Sequence, residues 1–377
     1  MNQKEYFGFG SIKNLKNILK EENPKKIFLV TGKKSYEKSG IKDHILQYLQ
    51  NYDFVHFDNF SAIPLLDDVK KGILAFRNEK CDLVIAIGGG SVIDFAKLTN
   101  ILASQDNNQM DYVKHIKEIK KSGKPLVVIP TTSGSGSEAT HFAVVYVKEK
   151  KFSVTSSYIL PKYSIVDPEF TKSLPPKITA ISGIDALCQA IESYWSINST
   201  PLSRSFSKES IILILHNLLI AVRNPTEETR LSMARASNLA GKAINLTKTT
   251  APHAISYPLT YFFGIPHGHA VSLTLGDFFV FNSRIDKSNA TILNKVNDYP
   301  GIFSELLDIL GVTDSLSAKQ KITKLMLDLD LETKLSMFNI TNKDIPLILN
   351  NVNVERLENN PRRISKKELQ TILMTLI

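Results

Sequence analysis

The texture of the chain changes once, near residue 172, and that change restricts the fold more than any other feature. Ahead of it, short β-branched runs alternate with amphipathic stretches. Residues 26–31 read as a buried strand, 36–49 as a helix, 54–57 as a strand, 66–78 as a helix, 83–87 as a strand, 92–102 as a helix and 126–129 as a strand. Such alternation builds β-α units around a mainly parallel sheet, because parallel neighbours need a crossover long enough to hold a helix. Residues 146–153 read as a hairpin added to that sheet, and 164–166 close the section. Beyond Leu174-Pro175-Pro176 the strands stop, and 180–194, 207–221, 227–243, 254–262 and 270–279 carry helical spacing. The expected architecture is an α/β domain over 1–172 followed by an all-helical domain over 173–377, each large enough for its own core. Ligands of open α/β sheets lie beyond the carboxyl ends of the strands, so chemistry is expected where the halves meet.

Composition removes several classes. With 43% apolar and 22% charged residues the chain is not of the disordered kind. Its two cysteines, Cys81 and Cys188, allow at most one bridge and form no metal-binding repeat. Residues 1–10 are polar and broken by Lys4, unlike a signal peptide, and the apolar run 211–222 is interrupted by His216 and Asn217 and too short for a bilayer. A cytoplasmic protein without a membrane partner is expected. The net charge of +9 invites nucleic acid, yet its 46 basic residues are scattered and only nine are Arg, the side chain that forks onto phosphates. The densest clusters, 117–124 and 362–367, lack interleaved aromatics, so no nucleic-acid partner is expected and a small anionic substrate stays open.

Three stretches could carry chemistry. The strand at 83–87 runs into Gly88-Gly89-Gly90-Ser91 and then a helix with Asp94 and Lys97. Bare backbone amides at a helix N-terminus suit a pyrophosphate, although a tight strand-to-helix turn reads the same way. Thr131, Thr132 and Ser135, in the 130–138 loop after the next strand, add hydrogen-bond donors for one extended ligand. In the helical half, Asp185, Gln189 and Glu192 face one side of a helix, and His253 and His267 flank a Gly264-Ile265-Pro266 turn. One carboxylate and two imidazoles suit Fe(II) or Zn(II) with positions left open for substrate.

Taken together, Gly88 to Ser91 with Asp94 and Lys97, 130–138, Gly183-Ile184-Asp185-Ala186-Leu187 and Pro266-His267-Gly268 resemble the iron-dependent (group III) alcohol dehydrogenase family over nearly the whole chain. The resemblance implies a dinucleotide-binding N-terminal domain, a helical metal domain of the dehydroquinate-synthase-like architecture, a homo-oligomer, and NAD(P)H-linked reduction of an aldehyde. It places the metal ligands at Asp185, Gln189, His253 and His267, with Gln189 standing where the family usually has His. Gly32 and Lys151 join the cofactor contacts by family position. Tyr257 stands where many members have a proton-delivering His, and His269 is the other candidate donor. The runs 189–196, 247–253 and 266–271 are similar to the phosphonoacetaldehyde reductase branch, and Lys248 beside Thr249 and Thr250 is the expected contact for a phosphonate. Gly32-Lys33-Lys34, in place of an acidic residue, points to NADPH over NADH. The alternatives are a general alcohol dehydrogenase of the family and a metal-dependent cyclase of the dehydroquinate-synthase kind.

Overall fold

The structure, a computed structural model, describes residues 3–38 and 40–377, without the side chains of Lys34, Ser35 and Lys38. It divides into two compact units, one ending at Leu174 and the other spanning Pro175–Ile377.

The first unit is built on a six-stranded parallel sheet in the order β1-β8-β5-β4-β2-β3. The strands are β1 (Lys4–Phe7), β2 (Lys26–Thr31), β3 (Asp53–Phe57), β4 (Leu83–Gly88), β5 (Leu126–Pro130) and β8 (Tyr163–Val166). The central strands are continuous apolar runs because both faces are covered. Phe28, Val30, Val84, Ala86 and Val128 enter one apolar cluster, while Ile27, Leu29, Leu83, Ile85, Val127 and Ile129 enter another. From β2 the chain moves outward to β3, then returns to β4 on the other side of β2 and continues to β5 and β8. The order thus reverses between β2 and β4, whose carboxyl ends carry Gly32 and Gly88-Gly89.

Three expectations change here. The 36–49 stretch, which includes residue 39 outside the described residues, is two helices, Lys33–Lys38 and Ile41–Leu49, with Gly40 at φ 72° before the second. The hairpin, β6 (Phe142–Val147) with β7 (Lys150–Thr155), is a separate two-stranded sheet and not an extension of the main one. Its backbone meets the chain ahead of it through a bridge between Leu65 and Tyr146. Edge strand β1, parallel to β8, is new; its polar and aromatic sequence has one partner and no buried run to announce it. Both cysteines are free and buried.

The second unit is helical. Its long helices are Pro176–Trp195, Pro201–Arg223, Glu227–Thr247, Ala251–Phe263 and His267–Asn282, followed by shorter ones to the C-terminus. Thr200 and Thr226 cap two of them in reciprocal pairs with Ser203 and Thr229, satisfying first-turn amides. Pro176–Trp195 is buried along most of its length; a Cβ at Gly183 would lie 2.2 Å from Leu218 Cδ1, so glycine sets how closely the neighbouring helix packs. Pro201–Arg223, at 23 residues, is long and apolar enough to cross a membrane by length and composition, which revises the reading of 211–222 as too short. It lies against Pro176–Trp195 and Glu227–Thr247, with Ile211, Ile214 and Leu218 fully buried in the unit's apolar core.

Candidate metal centre and phosphate-binding turn

In the first unit, β4 ends at Gly88 and the helix Gly90–Ala103 starts from Gly89. A Cβ at Gly88 would lie 2.5 Å from Val92 Cγ2 and one at Gly90 2.7 Å from Ser135 Oγ, whereas Gly89 would meet Thr132 at an ordinary 3.4 Å. Packing therefore accounts for two of the three glycines. The backbone N–H of Thr131 donates to Gly88 O at 3.0 Å, which draws the 131–136 loop against the turn. Gly88, Gly89, Gly90, Thr131, Thr132 and Ser135 thus converge, with Ser91 in the helix's first turn. The first-turn amides and the helix dipole make that place attractive to an anion. Gly32 ends the neighbouring strand, and Lys33 Nζ donates to Asn59 Oδ1 at 3.1 Å; the Lys34 side chain lies outside the described residues.

Asp94 is corrected from cofactor contact to frame. Its oxygens accept from Ser137 Oγ at 2.5 Å and from the Val144 amide at 3.0 Å, tying the helix to the hairpin. Burial pushes its carboxyl above the usual range, against the pull of Lys97. Lys97 is buried; its ammonium donates to Ser137 O at 2.6 Å, Thr140 O at 2.8 Å and Phe142 O at 3.1 Å. Lys151 stands on β7 opposite Tyr146, with its charge acting on Asp94.

In the second unit, Asp185, His253 and His267 bring one ligand atom each to within 4.8 Å of one another. Asp185 Oδ1 lies 3.6 Å from His253 Nε2 and 4.0 Å from His267 Nε2. The local sequence explains the convergence. Pro252 sits in the first turn of Ala251–Phe263, where its missing N–H costs nothing, and His253 follows it. His267 opens the next helix, and a Cβ at Gly268 would lie 2.2 Å from Ile181 O and 2.7 Å from Asp185 Cβ. Only glycine lets that helix end approach Asp185 so closely. Gln189, one turn beyond Asp185, donates from Nε2 to Asp185 Oδ2 at 3.1 Å. Its Oε1 is buried with no hydrogen-bond partner among the described residues. A carboxylate, two imidazoles and an orphaned amide oxygen fit a divalent cation.

Glu192 had a place on this helix face but no assigned role. It is fully buried, and its Oε2 accepts from the Thr250 amide at 2.7 Å and the Thr250 hydroxyl at 2.9 Å, while Oε1 accepts from His253 Nδ1. A proton fixed on Nδ1 leaves Nε2 as the coordinating nitrogen. Burial lowers the affinity of the His253 imidazole for a proton, but Glu192 and Asp185 outweigh it and hold the pKa above the usual range.

The proton-donor candidates separate. The Tyr257 ring stacks on His267 with centroids 5.9 Å apart and 19° between planes. Burial raises its phenol pKa, opposed first by the charge of the Arg356 guanidinium. His269 is corrected. Two residues along a helix from His267 it faces away, its Nε2 bonded to Glu332 O at 2.7 Å and its ring against Phe338. Burial lowers its pKa, and its hydrogen bond tethers the Glu332 segment. Lys248 is corrected too: it sits in a turn at φ 60°, and its ammonium is engaged by Glu355 near the surface. The buried cation of this region is Arg356, which sequence spacing did not flag because it lies on a five-residue helix, Val354–Glu358, about a hundred residues downstream of Tyr257.

The iron-containing alcohol dehydrogenase family matches residues 2–168, and its C-terminal domain matches 179–377. The chain is 33% identical over 341 residues to long-chain-alcohol dehydrogenase 1 of Geobacillus thermodenitrificans, covering 89% of this chain and 85% of that protein. It is 28% identical over 376 residues to sulfoacetaldehyde reductase of Bilophila wadsworthia, covering 97% and 95%. The crystal structure of sulfoacetaldehyde reductase from Bifidobacterium kashiwanohense in complex with NAD+ matches with a TM-score of 0.86 and 33% identity, over 99% of this chain and 96% of that one.

Proposed function

The chain belongs to the iron-containing alcohol dehydrogenase family, and on that premise we propose that it reduces a small anionic aldehyde, phosphonoacetaldehyde first, to the corresponding alcohol with NAD(P)H. The observation that carries the reading is the convergence of Asp185, His253 and His267. These three would hold the cation, Fe(II) or Zn(II), and the buried Gln189 Oε1 would serve as a fourth, weaker donor. When bound, the cation supplies Lewis acidity to a carbonyl oxygen and the nicotinamide supplies hydride.

The chain's own groups do the rest. Glu192 holds the His253 ring and its Nδ1 proton, so that Nε2 faces Asp185. The turn at Gly88–Ser91, with Thr131, Thr132 and Ser135, binds the cofactor's pyrophosphate. Lys33 brings positive charge to the β2 end, where NAD-preferring enzymes carry an acidic residue against the ribose hydroxyl, and this favours NADPH. Tyr257 keeps its phenolic proton at neutral pH through burial and, stacked on His267, is placed to give it to the product's oxygen. Relatives named as sulfoacetaldehyde reductases, matched over nearly their full length, support a two-carbon aldehyde with an oxyanion head.

The test is NADPH and NADH oxidation by Fe(II)- or Zn(II)-loaded protein with phosphonoacetaldehyde, sulfoacetaldehyde and butyraldehyde. A preference of tenfold or more for one anionic aldehyde, about 1.4 kcal/mol of transition-state stabilisation, is expected. Equal rates on all three would reduce the assignment to a general aldehyde reductase. No cofactor oxidation with any of them would refute reduction altogether.

A further inference from the structure

We infer that Arg356 is the group that recognises the substrate's anionic head. The inference rests on the anionic-aldehyde reading above and deepens it. Arg356 is 3% exposed, and its guanidinium charge acts on the phenol of Tyr257, whose ring stacks on His267 of the candidate metal cluster. A permanent positive charge is therefore held one side chain away from the His267 imidazole. A guanidinium presents five N–H donors in a planar fork, enough to serve a phenol and two oxygens of a phosphonate or sulfonate together. In a two-carbon aldehyde only one methylene lies between the carbonyl and the acidic head, so a group that meets the head has to stand near the cluster, as Arg356 does behind Tyr257. The carbonyl can then face the cluster while the head faces Arg356.

The surrounding chain is built to hold this cation in place. Pro258 has no N–H to give the Ala254 carbonyl one turn back, and that carbonyl accepts instead from the Asn353 amide at 3.4 Å. Asn353 in turn caps the short helix, its side chain accepting from the Arg356 amide at 2.9 Å. At the other end Asn359 Nδ2 donates to Thr247 O at 2.8 Å and Thr249 O at 2.9 Å. The Lys248–Glu355 pair closes the outer side. Lys248, the nearer cation in sequence, is thereby used to fix Arg356's neighbour, and the guanidinium is left facing inward to Tyr257.

Two variants and two readouts test this. In metal-loaded protein, binding of the unreactive anion ethylphosphonate is measured by calorimetry, and kcat/KM is compared between phosphonoacetaldehyde or sulfoacetaldehyde and butyraldehyde. In Arg356→Gln, ethylphosphonate affinity should fall at least tenfold, and the anionic-to-neutral ratio of kcat/KM should fall by a similar factor, mainly through KM. Arg356→Lys, which keeps the charge but loses the fork, should recover part of both. Where the wild type prefers an anionic aldehyde, equal losses on anionic and neutral aldehydes, or an unchanged ratio, would overturn the inference. So would wild-type protein that fails to bind ethylphosphonate while still preferring an anionic aldehyde, which leaves the proposed function standing. Conversely, Arg356-dependent ethylphosphonate binding without any aldehyde preference would support the anion site and sink the substrate assignment.

Discussion

The substitution Glu192→Gln keeps the shape of a fully buried side chain and changes only which of its atoms carries hydrogen. The Oε2 side meets three donors, the Thr250 amide, the Thr250 hydroxyl and, at 3.5 Å, the His253 amide. That hydroxyl already accepts from Trp195 Nε1 at 2.9 Å, so its single proton goes to Glu192. In the variant the amide oxygen must therefore take the Oε2 side and the NH2 must face His253 Nδ1. Nδ1 can then only accept, which moves the imidazole proton to Nε2, the nitrogen 3.6 Å from Asp185 Oδ1. A protonated Nε2 cannot coordinate, and restoring it sets two N–H groups against each other in a dry site. An unsatisfied buried donor costs about 1–3 kcal/mol, and loss of such an outer partner typically weakens metal binding about 10–100-fold. The measurement is a titration of Zn(II) into chelator-stripped protein against a competing chromophoric chelator. Far-UV circular dichroism serves as the control for folding. An unchanged Zn(II) affinity in a folded variant would refute the tautomer argument.

Two more substitutions probe the frame of each unit. Gly268→Ala places a methyl group 2.2 Å from Ile181 O. Overpacking of this kind costs about 1–3 kcal/mol, so the expected result is a fall in Tm together with weaker Zn(II) binding, and wild-type values of both would count against the close-approach role of that glycine. Lys97→Met concerns pH. Burial pushes the Lys97 ammonium down to about 8, with Asp94 and Glu138 opposing, whereas the unfolded lysine titrates near 10.4. Between those values the unfolded chain holds more protons, so this group's penalty on folding is fully present below pH 8 and is relieved as pH rises through the window, by up to about 3 kcal/mol. The Tm of wild type relative to Lys97→Met should therefore move in favour of wild type between pH 7.5 and 9.5; a flat or opposite trend would refute the burial penalty.

The parts of the fold that sequence announced are those whose surroundings force a pattern. Strands β2, β4 and β5 are covered on both faces and so are uninterrupted apolar runs. Edge strand β1 needs no such run and left none, and the break at Gly40 is one backbone angle inside a continuous helical pattern. In the site, Asp185, Gln189 and Glu192 were legible because helical spacing puts them on one face, whereas Gly183 and Gly268 entered only with the motifs that carry the family resemblance, and their close approaches belong to the fold. What spacing could not give was direction. Nothing local says that His269 points to the Glu332 carbonyl rather than toward Tyr257, or that Asp94 spends both oxygens on Ser137 and Val144. Those outcomes depend on segments 43 to 63 residues away.

The same limit explains the cation. Lys248 was the natural choice for an anion because it adjoins His253 in sequence, but φ 60° at that residue turns the chain sharply between two helices, and Glu355 meets the ammonium at the surface. The inward cation comes from the segment that supplies Glu355. The corner from Thr247 to Pro258 thus has two sets of obligations. Toward Pro176–Trp195 it offers Thr250 and His253 to Glu192. Toward Asn353–Asn359 it offers the carbonyls of Thr247, Thr249 and Ala254 and the phenol of Tyr257. The first set fixes the metal ligand's tautomer; the second decides what stands behind Tyr257. The two sets use different atoms of one corner.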